Sequence, residues 1–284
     1  VKEKMKVVVF GSGFLGRRIA AELQAPLDPA DITDAAAVAA ALERHDAEAV
    51  VNAAGKTGRP NVDWCETHRE ETYRSNTVGP LVLAEACAKR GAHLLHLGSG
   101  CIFYGPSPRP GGWLEDDFAN PSAFYSRTKY AADLVLSRLP NVAVARLRMP
   151  IDSVPGPRNL ITKLASYKEV VDVANSVTVV DDLVAAVRGL LAARAEGVFH
   201  VTNPGVLRHR ELLELYRALV DPSHSCTFID EEELVRRGLA VKARSNCILA
   251  SPRLEALGIR LRPVHEALRD TMQRYAIAAG RAGG

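Results

Sequence analysis

The 284-residue chain has no apolar run long enough to span a bilayer, for which a helix needs about 20 such residues. Cysteine is scarce: five residues, Cys65, Cys87, Cys101, Cys226 and Cys247, with no pair in C-x-x-C spacing. An odd set at these separations supports neither a disulfide framework nor a zinc site, so no metal is expected. Charge of one sign is lacking too, since 36 basic residues against 33 acidic leave a formal net charge of +3. The basic residues are dispersed and form no stripe with aromatics, which argues against a nucleic-acid partner. No internal repeat is present. The stretch VKEKMKVVVF runs from charged residues straight into a strand, without a signal-like apolar core. No membrane partner is therefore expected, and a reducing cytoplasm is the expected compartment.

What is abundant is alternation. MKVVVFGSGFLGRRIAAEL reads as strand, glycine turn and helix; AEAVVNAAG as a strand ending at Asn52; GPLVLAEACAKRGA as a helix; HLLHLGSG as a strand. SAFYSRTKYAADLVLSRL and NVAVARLRMP continue the series as helix and strand. Such spacing predicts an α/β fold, a doubly wound Rossmann-type parallel sheet covered on both faces. The second strand should fall in APLDPADITD, which is short and carries two prolines, so it is expected to be stunted. After Pro150 the rhythm changes. A dinucleotide-binding domain over 1–150 and a small, mostly helical substrate lobe over 151–284 are expected, with 176–203 returning to the sheet.

Gly11, Gly13 and Gly16 spell G-x-G-x-x-G at the first strand–helix junction, over Gly11, Ser12, Gly13, Phe14, Leu15 and Gly16. In a dinucleotide site the first glycine makes the tight turn, the second admits the pyrophosphate to the backbone, and the third lets the helix pack closely. The acid that meets the adenosine ribose should lie about 20 residues on. Asp28 and Asp31 both qualify, and the short strand leaves the choice open. Asp31, or the backbone amide of Ile32, could instead meet adenine. Arg17 and Arg18 suit a 2′-phosphate or a solvated helix face.

Tyr125 and Lys129 stand four apart, on one face of a helix. Ser99 ends the preceding strand. Reducing a ketone requires a proton on oxygen as hydride reaches carbon. Tyrosine, with a reference pKa near 10, is a poor acid–base at neutral pH until an ammonium favours its phenolate. Lysine can also hold the nicotinamide ribose, while the serine hydroxyl bonds the substrate carbonyl. Glycine turn, serine and tyrosine–lysine in this order form the pattern of the extended short-chain dehydrogenases/reductases.

GSGCIF adds a thiol, Cys101, two residues after Ser99. The strings GRPNVDWCE, GCIF, FYSRTKYAADLVL, RLRMPI, PRNLITKLASYKEVV, NSVTVVDDL and ARSN make the chain resemble the plant UDP-4-keto-6-deoxyglucose 3,5-epimerase/4-reductases, the C-terminal half of rhamnose synthase. Wider relatives are the dTDP-4-dehydrorhamnose reductases and GDP-fucose synthases. The resemblance runs from about Met5 to the final helices. It implies that Cys101 and Lys163 move the epimerisation protons, while Ser99, Tyr125 and Lys129 carry out the reduction. It further implies that Asn52, Ala53, Ala54 and Thr57 contact an NADPH cofactor, with NADH left open. Asn61, Val62, Asp63, Asn76, Asn159, Arg244 and Asn246 are the implied contacts to a nucleoside-diphosphate sugar. A homodimer and a functional link to an NDP-glucose 4,6-dehydratase are also implied. The chain departs from the plant pattern in three places. Ser99 replaces a threonine, the stretch from Gly16 to Asp31 is shorter, and HLLHLG carries His93 and His96, which read as core or edge residues. Four alternatives stay open: a reductase without epimerase activity, an epimerase without reductase activity, an enzyme for a related keto-sugar, and a dinucleotide-binding regulatory subunit without turnover.

Overall fold

The structure, a computed structural model, describes residues 5–59, 61–238 and 244–280. The chain divides into two compact units. The first comprises Val1–Ile102, Phe118–Arg146 and Val184–Phe199, and the second Phe103–Asp117, Leu147–Leu183 and His200–Gly284.

The first unit is built on a six-stranded sheet. Its strands in chain order are β1 (Val7–Phe10), β2 (Leu27–Asp28), β3 (Ala49–Asn52), β4 (His93–Ser99), β5 (Val142–Leu147) and a last strand, Gly197–His200. Their spatial order, from one edge, is last strand, β5, β4, β3, β1, β2. β1 pairs in parallel with β2 and β3, and β3 in parallel with β4. β2 has only two residues, as the prolines around it foretold. All seven residues of β4 are buried, as expected of a strand covered on both faces. Val8, Phe10, Val50, Leu83, Leu94 and Val144 form its main apolar cluster. Fully burying side chains of this kind stabilises by about 1.5–3 kcal/mol each.

The second unit has a separate core around Ile151, Ile161, Val179, Leu212 and Met272. Short strand pairs flank it, Pro150–Ile151 with Thr178–Val179 and Glu169–Val171 with Thr227–Ile229. Arg148, 1% exposed, ties this unit together by donating to Ser245 Oγ at 2.9 Å and to Asn175 and the Ser245 carbonyl.

In the first unit the chain leaves β1 for β2 on one side and returns to β3 on the other. The crevice beyond the carboxyl ends of β1 and β3 is thus the topological switch point, where open α/β sheets bind ligands. The glycine turn lies there. Gly11 has φ +98°, and a Cβ on it would lie 2.3 Å from the Ala54 nitrogen. A Cβ on Gly16 would lie 1.8 Å from the Gly11 carbonyl oxygen, so helix α1 (Phe14–Leu23) can start this close to β1 only without a side chain there. Gly16→Ala should therefore destabilise the protein by about 1–3 kcal/mol, the usual cost of overpacking. Denaturant unfolding reads this directly, and an unchanged midpoint would show that the turn has slack.

Candidate active site

The helix Phe124–Leu136 carries Tyr125 and Lys129, and its buried face is Ser126, Thr128, Lys129, Ala132, Asp133 and Leu136. No side chain of its own N-cap, Ala123, satisfies the first turn. Glu66 does so from a distance in sequence: its Oε1 accepts the Phe124 N–H at 2.8 Å. Deeper in, the Ser126 hydroxyl donates to the Cys101 carbonyl at 2.7 Å, fixing the Gly100–Ile102 turn against the helix. Thr77 Oγ1 donates to the Thr128 carbonyl at 2.9 Å, and Asn76 Nδ2 to Thr128 Oγ1 at 3.2 Å.

These contacts bring Ser99, Cys101 and Tyr125 together at the carboxyl end of β4. Ser99 hydrogen-bonds the Tyr125 phenol, and its Oγ also accepts the Cys101 N–H at 3.2 Å. Burial pushes the phenol well above its ordinary value, the nearby Cys101 adds to the rise, and Ser99 opposes it. Tyr125 therefore keeps its proton at neutral pH, the state a proton donor needs. One turn further along, Lys129 is 4% exposed and donates from Nζ to the Leu97 carbonyl at 2.8 Å. Burial lowers Lys129 to about 8, although the Asp133 carboxylate pulls the other way. Asp133 is buried in turn and paired with Arg146 of β5 at 2.8 Å.

The other expected site residues separate into three groups. Asn52, Ala53 and Ala54 close β3 at the switch point, with the Asn52 Oδ1 accepting the Ala54 N–H at 3.0 Å. Gly13 differs from its neighbours: a Cβ there would meet nothing within 4 Å, so the turn presents bare backbone to open space at the start of α1. Ser12, Phe14 and Leu15 belong to this cradle, and Thr57 is half-buried in the loop that follows β3. The donor set fits a dinucleotide diphosphate.

A second group is spent on structure. Asn76 holds Lys56 at both ends of its backbone, accepting its N–H at 2.8 Å and donating to its carbonyl at 2.9 Å. Asn159 caps the Leu160–Ala165 helix and bonds the Asp152 and Val154 carbonyls. The Asp28 carboxylate is taken by Arg44 at 2.5 Å and His45 at 2.8 Å, whereas Asp31 closes a local turn on Thr33. Ile32 packs into the apolar cluster. Asn61 bonds the Asp63 N–H at 2.8 Å, giving the loop that includes Val62 its shape.

Lys163, Arg244 and Asn246 form the third group, in the second unit. Asn246 Oδ1 accepts from Asn175 at 3.1 Å, while its Nδ2 is buried with no hydrogen-bond partner. Such an orphan donor is costly and points to an absent acceptor.

The sequence alone marks no role for Glu66, Asp133 or Arg146. Asp133 stands four residues after Lys129 and eight after Tyr125, a helical spacing that could have marked it. His96 reads in the sequence as a core or edge residue. It is fully buried, yet its ring faces Lys129 and Asn52 at 3.0 Å each. Asn52 and His96 are also direct partners in the β3–β4 ladder, so a polar residue ending one strand opposite a histidine inside its apolar neighbour was the available signal.

Residues 5–277 match the family described as RmlD substrate binding domain. A bifunctional dTDP-4-dehydrorhamnose 3,5-epimerase/dTDP-4-dehydrorhamnose reductase of Arabidopsis thaliana is 40% identical over 243 residues, covering 84% of this chain and 80% of that protein. A trifunctional UDP-glucose 4,6-dehydratase/UDP-4-keto-6-deoxy-D-glucose 3,5-epimerase/UDP-4-keto-L-rhamnose-reductase of the same plant is 38% identical over 225 residues, covering 77% of this chain but 33% of that longer protein. Among solved structures, the UDP-rhamnose synthase of Acanthamoeba polyphaga mimivirus superposes with a TM-score of 0.89 at 28% identity, covering 96% of this chain and 100% of that one. No helix among the described residues is long and apolar enough to cross a membrane.

Replacing Asp133 by leucine would take from the buried Arg146 the carboxylate that it pairs with at 2.8 Å. Breaking a buried pair this way costs about 3–5 kcal/mol. Asp133→Leu should therefore lower the urea midpoint sharply, and a midpoint equal to wild type would mean that the pair is not closed in solution.

Proposed function

The chain belongs to the RmlD substrate-binding-domain family, and from that membership we propose that it epimerises and reduces a nucleoside-diphosphate 4-keto-6-deoxyglucose to the corresponding β-L-rhamnose. The observation that carries this reading is the meeting of Ser99, Cys101 and Tyr125 at the end of β4, with Lys129 beneath them. The protein is an oxidoreductase, and the proposed cofactor is NADPH. Gly11, Gly13 and Gly16 would admit its diphosphate to the backbone, and Lys129 would hold its ribose. When bound, it supplies the hydride for C4.

The residues of this chain supply the protons. Ser99 bonds the C4 carbonyl and orients it. Tyr125, protonated at neutral pH, gives its proton to the carbonyl oxygen, and a charged Lys129 steadies the phenolate left behind. The carbonyl also acidifies C3 and C5. Inverting either centre removes a proton from one face and returns one to the other. Cys101, a thiol with a reference value near 8.5, is the proposed group on one side. Lys163 is the proposed second group, and Lys163→Met tests it separately. Asn61, Asp63, Arg244 and Asn246 are the proposed sugar-nucleotide contacts, supported at Asn246 by its unpartnered amide.

The trifunctional relatives carry a 4,6-dehydratase in the same name as the epimerase and reductase, which supports a dehydratase as the source of the keto-sugar. Leu134 and Val135 leave an apolar strip exposed on the Phe124–Leu136 helix, which supports a homodimer. Five free cysteines suit a reducing cytoplasm.

Tyr125→Phe should keep the fold and lose about 10²- to 10⁴-fold in NADPH oxidation, the usual worth of general acid catalysis. Near-wild-type turnover would remove Tyr125 from the reaction. Cys101→Ser should still reduce the C4 ketone but stop exchanging substrate protons in D2O, as mass spectrometry with NMR placement of the label will show. Exchange at the wild-type rate would make Cys101 a packing residue and the enzyme a simple reductase.

A further inference from the structure

His96 has nitrogen on both sides. Its Nδ1 lies 3.0 Å from Asn52 Nδ2 and its Nε2 lies 3.0 Å from Lys129 Nζ, in a place sealed from solvent. The Asn52 amide is held in this orientation because its oxygen accepts the Ala54 N–H at 3.0 Å. Lys129 is anchored by its own donation to the Leu97 carbonyl at 2.8 Å.

A neutral imidazole has one N–H and one lone pair. The Asn52 amide nitrogen has no lone pair to offer, so Nδ1 must be the acceptor there. The ring proton then sits on Nε2 and points at Lys129, which can receive it only as an uncharged amine. An ammonium at Lys129 needs the opposite tautomer. The ring proton would move to Nδ1 and oppose the Asn52 N–H, unless the amide turns over and gives up Ala54. A doubly protonated ring would oppose the Asn52 N–H on one side and, beside an ammonium, meet a second donor on the other. The charge of Lys129, the tautomer of His96 and the orientation of Asn52 are therefore one coupled arrangement.

We propose that His96 is the positioning residue that governs the charge of Lys129, favouring the free amine at alkaline pH and admitting the ammonium only as the ring proton passes from Nε2 to Nδ1. The groups facing the pair agree with this. On its own helix Lys129 faces Asp133, whose carboxylate is already engaged by Arg146 of β5. Tyr125 is held in its protonated form, with Cys101 and Cys65 beside it. Burial keeps His96 itself well below its ordinary value, and the charge of Lys129 lowers it further, so the imidazolium is not competitive. Lys129 at about 8 is thus poised to change charge near neutral pH.

The consequence for catalysis rests on the reductase reading of Tyr125 and Lys129; the tautomer coupling does not. Since only the charged lysine steadies a Tyr125 phenolate, kcat/KM for reduction should fall as pH rises through the Lys129 value. His96→Gln offers an amide oxygen that accepts from an ammonium with no tautomer to shift. It should move that alkaline fall upward by about one pH unit, while a mere packing residue would lower the rate by one factor at every pH.

The direct test is ¹⁵N NMR of histidine-labelled protein without substrate or cofactor, with His96 assigned from the His96→Gln spectrum. The expected result is the Nε2–H tautomer at alkaline pH, giving way to Nδ1–H as the pH falls through about 8. A single tautomer throughout, or a ring that takes a second proton, would overturn the proposal. An alkaline limb that stays in place in His96→Gln would do the same. Because the NMR needs no turnover, a protein that reduces no keto-sugar would sink the functional reading and still report on the coupling.

Discussion

A lysine amine buried against a strand carbonyl sets the geometry of this active site. Lys129 reaches down from the Phe124–Leu136 helix to the Leu97 carbonyl of β4, and the Ser126 hydroxyl ties the same helix to the Cys101 carbonyl just beyond that strand. With Lys129 anchored, Tyr125 stands one turn earlier on the same face, where Ser99 ends the strand and hydrogen-bonds its phenol. Burying an ammonium is expensive, and burial accordingly lowers Lys129 to about 8. The Asp133–Arg146 pair, the Asn52–His96 pair and the Glu66 cap are then best understood as the supports of one amine and one phenol.

The same arrangement separates the two proposed proton chemistries. Tyr125 is held protonated and suits donation to a carbonyl oxygen. Cys101 sits on the turn that follows Ser99, with its carbonyl held by the Ser126 hydroxyl and its N–H by Ser99 Oγ. A strand end that presents a hydroxyl and a thiol two residues apart can address a carbonyl and its α-carbons from one side without moving the chain.

Much of this was legible in the sequence because local steric rules dictated it. The glycines at 11 and 16 are forced by backbone contacts under 2.5 Å, so their spacing survives as a readable motif. The prolines around Leu27 and Asp28 shortened β2 as their missing donors require. The Tyr125–Lys129 spacing follows from helix geometry alone. What escaped was whatever depends on partners distant in sequence. Glu66 caps a helix 58 residues away, and His96 and Asn52 meet across 44. Asn76 and Asn159 carry the sequence marks of ligand contacts, yet their amides bond loop backbone instead. A polar side chain that shapes a loop beside a site looks, in sequence, like one that enters it.

The most direct test of the account is one incubation of the wild-type protein in D2O with NADPH and, in separate reactions, UDP- and dTDP-4-keto-6-deoxyglucose, followed by mass spectrometry and NMR of the sugar. The account predicts an NDP-β-L-rhamnose from at least one of them, with solvent deuterium at C3 and C5 and stoichiometric loss of NADPH. NADPH consumed with no deuterium on carbon, or neither sugar changed, would contradict it.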